Sequence, residues 1–157
     1  MVREFSKEAL KELEGIINQF PNAKSSLMMV MRFAEKEFGY IDAETCQYIA
    51  SLLNLSPAYV YGNLNFYFHF NREFHGKYRI MVCCTLMCHM KGAGDIVSYL
   101  EKKLGIKVGE RTHDGKFSLE KVECLGACHK SPMMQINDKD YYDLTNDKID
   151  EILDKLE

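Results

Sequence analysis

The sequence predicts an α+β chain: a small helical bundle over residues 1–75, then an α/β unit with a mixed four-stranded sheet over residues 76–157. Three observations point there. Apolar residues recur at helical spacing through four successive segments before residue 68. The pattern then breaks at Phe68-His69-Phe70 and the polar, glycine-containing run Asn71-Arg72-Glu73-Phe74-His75-Gly76-Lys77, the expected hinge. From Tyr78 onward, short β-branched and aromatic runs alternate with helical periodicity.

The first helix is expected over 6–20, with Ser6 as N-cap, Glu8 in the first turn, Leu10, Leu13, Ile16, Ile17 and Phe20 on one face, and Pro21 as the stop. The second is expected over 24–38, with Leu27, Met31, Ala34 and Phe38 as its stripe and Gly39 after it. Asp42 caps a third, with Cys46, Ile49, Ala50 and Leu53 on one face. Ser56-Pro57 starts a fourth, an N-cap followed by proline at the first helical position, and that helix carries Val60, Leu64 and Tyr67. Short connections between these segments make a bundle.

In the second half, 78–82 reads as a strand and 93–104 as a helix, with Ala93, Ile96, Val97, Leu100 and Leu104 on one face and Gly105 at its end. Asp114-Gly115 marks a turn before a strand over 117–123. Strands over 133–136 and 141–144 flank Asn137-Asp138-Lys139-Asp140, a hairpin signal. Thr145 caps a last helix bearing Ile149, Ile152, Leu153 and Leu156. Strand-helix-strand favours a parallel pair with a right-handed crossover. A closing strand-strand-helix extends the sheet antiparallel. That element order is the thioredoxin-like arrangement.

Composition narrows the function classes. Hydrophobic content of 46% and charged content of 27% are ordinary for a globular chain of 157 residues. A net charge of −3, without a basic run or aromatics interleaved with arginines, gives no reason to expect nucleic acid. No apolar run approaches the roughly 18 residues that span a bilayer. The charged N-terminus argues against a secretory signal, so a cytoplasmic setting is expected. In a reducing compartment, clustered cysteines point to metal ligands or redox groups rather than structural disulfides.

Five of the six cysteines lie in two short stretches, Cys83-Cys84-Thr85-Leu86-Met87-Cys88-His89 and Cys124-Leu125-Gly126-Ala127-Cys128. Each follows a predicted strand, where a loop can aim several groups at one point. The candidate ligands are Cys88, Cys124, Cys128 and one of Cys83 or Cys84, which spacing alone does not separate. Thiolates suit zinc or an iron–sulfur cluster. Structural zinc sites usually draw on pairs two to four residues apart, commonly Cys-x2-Cys. Here a whole helix and strand lie between the pairs, so spacing favours a [2Fe–2S] cluster over zinc, and zinc over thiol redox chemistry. A Cys-x2-Cys redox motif is absent.

Cys83-x4-Cys88-His89, then Cys124-Leu125-Gly126-Ala127-Cys128 with Pro132 four residues on, closely resembles the NuoE-type thioredoxin-like [2Fe–2S] subunit of the NADH-oxidising arm of respiratory complex I. That subunit type recurs in NAD-linked, often electron-bifurcating, hydrogenases and in NAD-dependent formate dehydrogenases. The resemblance covers nearly the whole chain. It extends to Val60-Tyr61-Gly62 with Phe66-Tyr67 and Phe70, to Asp114-Gly115-Lys116-Phe117, and to Asn137 with Leu144-Thr145. It implies an electron-transfer subunit with no bond chemistry of its own. Cys83, Cys88, Cys124 and Cys128 would hold one [2Fe–2S] cluster. That cluster would exchange electrons with the flavin of a larger NuoF-type flavin- and NADH-binding partner subunit, and this chain would bind no NADH and insert in no membrane. Cys84 departs from the family pattern and is expected to be a spare thiol. The alternatives are a zinc-stabilised interaction module with four cysteine ligands and a free-standing thioredoxin-like ferredoxin.

Plainer roles are expected elsewhere. Cys46 reads as a buried core thiol and the run Met28, Met29, Met31 as core filling. Met87, Met90, Met133 and Met134 flank the candidate loops and are expected to shield them or to pack on a partner. His89 and His129 read as hydrogen-bonding or solvent-exposed, because a Rieske-like role needs two histidines in place of two cysteines. His69, His75 and His113 read as surface residues. Pro132, just before a hairpin strand beside the active loop, suggests a cis Ser131–Pro132 bond.

Overall fold

The computed structural model describes residues 3–156; Met1, Val2 and Glu157 lie outside the described residues. The chain divides into two compact units, 1–74 and 75–157.

The first unit contains four helices: α1 (Lys7–Ile17), α2 (Ala23–Phe38), α3 (Ala43–Leu53) and α4 (Pro57–Phe66). Each starts on a side chain that accepts from an otherwise unpaired backbone N–H of the first turn. Ser6 Oγ accepts from Ala9, Asn22 Oδ1 from Ser25, Asp42 Oδ1 from Thr45 and Ser56 Oγ from Tyr59, at 2.8–3.2 Å. Leu13, Leu27, Val30, Met31, Ile49, Val60 and Leu64 make the core. Cys46 is buried among them, and the burial pushes its thiol up to about 11. Helix α1 ends at Ile17 rather than at 20, because Gln19 and Phe20 close back on Ile16 and Ile17 in a tighter turn. Of the methionine run, Met31 is buried and Met28 partly buried, but Met29 faces out. Tyr67 is exposed at the end of α4, not in its buried stripe.

The expected hinge is not a free linker throughout. Phe70 is buried in the first core and the Asn71 carbonyl accepts from Ile41 N–H at 2.8 Å, so the division falls between Phe74 and His75.

The second unit runs β1 (Tyr78–Cys83), α5 (Leu86–Met90), α6 (Ala93–Leu104), β2 (Phe117–Val122), a 3-10 turn at Cys128–Lys130, β3 (Met134–Ile136), β4 (Lys139–Tyr141) and α7 (Asn146–Asp154). The sheet order is β2-β1-β3-β4, with β1 and β2 parallel and the other pairs antiparallel, the mixed sheet that the element order predicts. Ile80, Val82, Leu119, Met134 and Ile136 lie on one face, and they share a core with Ile96, Val97 and Leu100 of α6 and Ile149, Ile152 and Leu153 of α7. The period of two along a strand sends Arg79, Met81, Cys83, Ser118 and Glu120 to the opposite face.

Two strand limits move. β2 stops at Val122, leaving Glu123 outside. β4 is 139–141 rather than 141–144, because Asn137 takes a left-handed conformation (φ 53°) in a two-residue turn and pairing resumes at Lys139. Tyr142 and Leu144 lie beyond the strand, and Leu144 is buried in the core with α7. The Ser131–Pro132 bond is cis, as the position of Pro132 suggests.

His75 is not a free surface residue. Its Nδ1 lies 2.9 Å from Glu120 Oε1, and Arg79 grips the same carboxylate through Nε at 2.9 Å and Nη2 at 2.7 Å. Burial pushes the Glu120 carboxyl up, but the hydrogen bonds from His75 and Arg79 outweigh it and hold it down to about 2. No local pattern marks His75; only the register of β2 brings Glu120 to it. Gly76 beside it could not carry a side chain, since a Cβ there would lie 2.5 Å from the Gly115 carbonyl oxygen.

Candidate metal centre

The parallel register explains why two cysteine stretches with 35 residues between them meet. Cys83, the last residue of β1 rather than the first after it, pairs with Val122 on β2, and Cys124 follows two residues later. Both stretches therefore leave the sheet at one end. The end of β1 is held on both sides: Cys83 N–H donates to Met133 C=O at 3.2 Å and Cys84 N–H to Val122 C=O at 3.1 Å.

After β1 the chain turns into the five-residue helix α5, where the sequence pattern suggests only a loop. A single turn is too short to show a helical period, and the one local signal is Thr85 at its N-cap position. The Thr85 hydroxyl makes no capping bond; it lies 3.3 Å from Cys83 Sγ instead. Helix α5 turns Cys88 inward. Cys83 and Cys88 are each 1% exposed, and they pack with Ala93 and Met133, bordered by Cys84, Leu125, Ala127 and Tyr142.

Cys124 and Cys128 are exposed, on irregular chain and at the start of the 3-10 turn. Gly126 between them has φ 86°, a conformation that side chains disfavour, and its N–H donates to Cys124 Sγ at 3.4 Å.

Sulfur is the common acceptor here. Burial would push the Cys83 thiol up, but the Thr85 hydroxyl, the N–H groups of Leu125 and Thr85, and the Cys88 thiol hold it below the usual thiol range. Cys88 is pushed up to about 11 by its burial and by sharing a hydrogen bond with Cys83, although Met133 N–H also donates to it. Cys128 is raised chiefly by its hydrogen bond with Cys124. The charges of Cys83 and Cys88 couple to Cys128 across the two stretches.

The structure therefore packs Cys83 and Cys88 together in one buried cluster and sends Cys124 and Cys128 off the same end of the sheet. Among the described residues no group of three or more His, Cys, Asp or Glu side chains is drawn in closely enough to hold a metal ion as it stands. The donor set still fits an iron–sulfur group: four soft sulfurs, the backbone N–H of Gly126 donating to Cys124 Sγ, and an apolar wall of Ala93 and Met133. Cys84 stands apart. It is half-buried, and burial raises its thiol, with Lys121 opposing and Cys83 and Glu123 adding to the rise. His89 and His129 are exposed on the outer side of these loops. Of the flanking methionines, Met133 lines the site, Met134 belongs to the sheet core, and Met87 and Met90 face out.

The profile of the thioredoxin-like [2Fe–2S] ferredoxins matches residues 13–157. The E subunit of the NADH-quinone oxidoreductase of Rickettsia conorii is 40% identical over 156 residues, spanning 98% of this chain and 93% of the relative. The protein of the same name in Aquifex aeolicus is 38% identical over 152 residues, spanning 97% and 95%. The fold is shared with an NAD+-reducing [NiFe]-hydrogenase, at a TM-score of 0.70 and 22% identity over 83% of this chain. This chain spans 22% of that hydrogenase chain's length. Among the described residues, no helix is long and apolar enough to cross a membrane.

Proposed function

The chain belongs to the thioredoxin-like [2Fe–2S] ferredoxin family, and on that premise we propose that it is the electron-transfer subunit of an NADH-linked oxidoreductase complex. One [2Fe–2S] cluster is held by Cys83, Cys88, Cys124 and Cys128, and it exchanges electrons with the flavin of a NuoF-type partner subunit. The observation that supports the ligand set is the convergence of the two cysteine stretches at the shared end of β1 and β2, with Cys83 and Cys88 packed together and Leu125 and Ala127 bordering them. Named relatives that are subunits of NADH-quinone oxidoreductase support the parent complex.

When bound, the cluster supplies one-electron storage. The chain does the rest. The Gly126 N–H, which donates to Cys124 Sγ, would offset negative charge on that sulfur and favour the reduced form. Met133 and Ala93, both fully buried, keep water from the inner pair. The outer pair is left near the surface, where a partner's flavin can approach.

The purified protein should be red-brown, with about two iron and two sulfide per chain and visible absorption bleached by dithionite. A colourless protein with one zinc per chain overturns the reading in favour of a structural zinc module. For the ligands, Cys83→Ser should lose the chromophore and Cys84→Ser should keep it; the reverse pair of results replaces Cys83 with Cys84.

A further inference from the structure

The buried thiols Cys83 and Cys88 share their cluster with Ala93 and Met133, and four partly buried side chains border it: Cys84, Leu125, Ala127 and Tyr142. Three of the four belong to the cysteine stretches themselves. Tyr142 does not; it follows β4, 14 positions after Cys128. Its side chain packs against the thiol cluster, while its hydroxyl donates to Oδ2 of the exposed Asp140 at 3.1 Å. Asp140 is fixed in turn, since its Oδ1 accepts from Gln135 Nε2 at 3.0 Å across the β3–β4 pair. The ring also meets the chain that leaves Cys128, with Lys130 Nζ 5.0 Å from its centroid. Backbone bonds tie the same two segments together: Asp143 N–H donates to Lys130 C=O at 2.9 Å and Leu144 N–H to Pro132 C=O at 3.0 Å. The charges here are mixed, Lys130 against Asp140 and Asp143, so the ring and not a net field distinguishes the place.

We propose that Tyr142 is a positioning residue of the cysteine site: its ring is the wall that closes the inner thiols to solvent, and its anchored hydroxyl keeps that wall in place. This rests on the electron-transfer reading above, whose cluster the ring shields from water and chelators. Tyrosine suits the position because its body is large, flat and apolar while its hydroxyl finds a partner at the wet end. The β3–β4 hairpin is what delivers it, folding the chain back so that a residue beyond β4 stands against a thiol that closes β1. A thiol behind such a wall reacts only when the wall opens, so its labelling rate reports the seal directly.

The test uses the full chain, first reduced and freed of metal. Iodoacetamide labelling is resolved cysteine by cysteine by mass spectrometry, with amide exchange of α6 as the measure of intact packing. Tyr142→Ala should label Cys83 and Cys88 about ten-fold faster, change Cys124 and Cys128 less than about two-fold, and keep α6 protected. Tyr142→Phe, which keeps the ring, should stay within about three-fold of the wild type at all four thiols. Where Tyr142→Ala does not fold, Tyr142→Leu replaces it, with about three-fold acceleration expected at the inner pair. In the iron-loaded protein, excess EDTA should bleach the variants in the same order, alanine fastest. Unchanged labelling of Cys83 and Cys88 in a folded Tyr142→Ala or Tyr142→Leu overturns the seal and leaves the electron-transfer reading standing. So does equal acceleration of all four thiols, or a Tyr142→Phe that labels as fast as Tyr142→Ala. Loss of α6 protection in both Tyr142→Ala and Tyr142→Leu also overturns it, making Tyr142 a residue of the fold at large. A colourless wild-type protein overturns the electron-transfer reading, while labelling of the metal-free chain still decides the seal.

Discussion

The two cysteine pairs leave the same end of the sheet but rest on opposite kinds of support. Cys83 and Cys88 are buried, one closing a central strand and the other on a short helix, with Met133 and Ala93 packed against them. Cys124 and Cys128 are exposed on chain whose only regular structure is a three-residue 3-10 turn. The inner pair belongs to the core, and its place is settled by the folding of the sheet. The outer pair is held by local hydrogen bonds and a left-handed glycine. On the proposed ligand set, one buried and one exposed half would position a group without prebuilding a cage of four like-charged thiolates. Such a cage would repel itself in the empty protein.

The largest expected effect tests whether both halves matter. Serine at any of Cys83, Cys88, Cys124 or Cys128 should lose or cripple the visible chromophore after expression with iron supplied. A variant that keeps full absorbance removes that residue from the ligand set. Next is the carboxylate that His75 and Arg79 grip between β1 and β2. Glu120 is held at about 2 against 4.5 for a free glutamate. A depressed carboxylate stabilises the fold above its unfolded value, and that stability drains as pH falls from about 4.5 toward 2. It amounts to something on the order of 3 kcal/mol. Chemical denaturation at pH 6 and pH 3 should show a drop that Glu120→Gln largely abolishes; an equal drop in the variant assigns acid sensitivity elsewhere.

A third test separates the halves in the metal-free protein. Replacing a buried thiol by a hydroxyl in Cys83→Ser or Cys88→Ser should cost about 1–3 kcal/mol. Cys124→Ser and Cys128→Ser should leave the melting midpoint where it was. Equal losses in all four would erase the distinction. Gly126→Ala is smaller, about 1–2 kcal/mol of local strain from φ 86° in open space. It should therefore slow or weaken cluster uptake more than it lowers the apo-protein midpoint. The smallest effect belongs to Cys84→Ser, with chromophore retained and stability within about 0.5 kcal/mol.

Much of this is legible along the chain because it is local. Helix starts at Ser6, Asp42, Ser56 and Thr145 depend on one side chain and the next three residues, and all four cap as expected. The β1–α6–β2 order and the closing hairpin follow from runs of two kinds of period. What is not legible depends on partners distant in sequence or on elements too short to have a period. α5 is one turn. His75 has meaning only opposite Glu120, 45 positions later on β2. The hinge is shorter than its polar texture suggests because Phe70, among polar neighbours, buries into the first core.

By itself, then, the sequence determined the elements long enough to show a period, the family and a set of five cysteines from which four would be drawn, since propensity, capping and motif spacing are written along the chain. Only the tertiary structure decided how those cysteines differ. Parallel pairing of β1 with β2 brings both stretches to one end. The core then claims Cys83 and Cys88 and leaves Cys124 and Cys128 to solvent. Burial and register are properties of the packed sheet, and no spacing rule contains them.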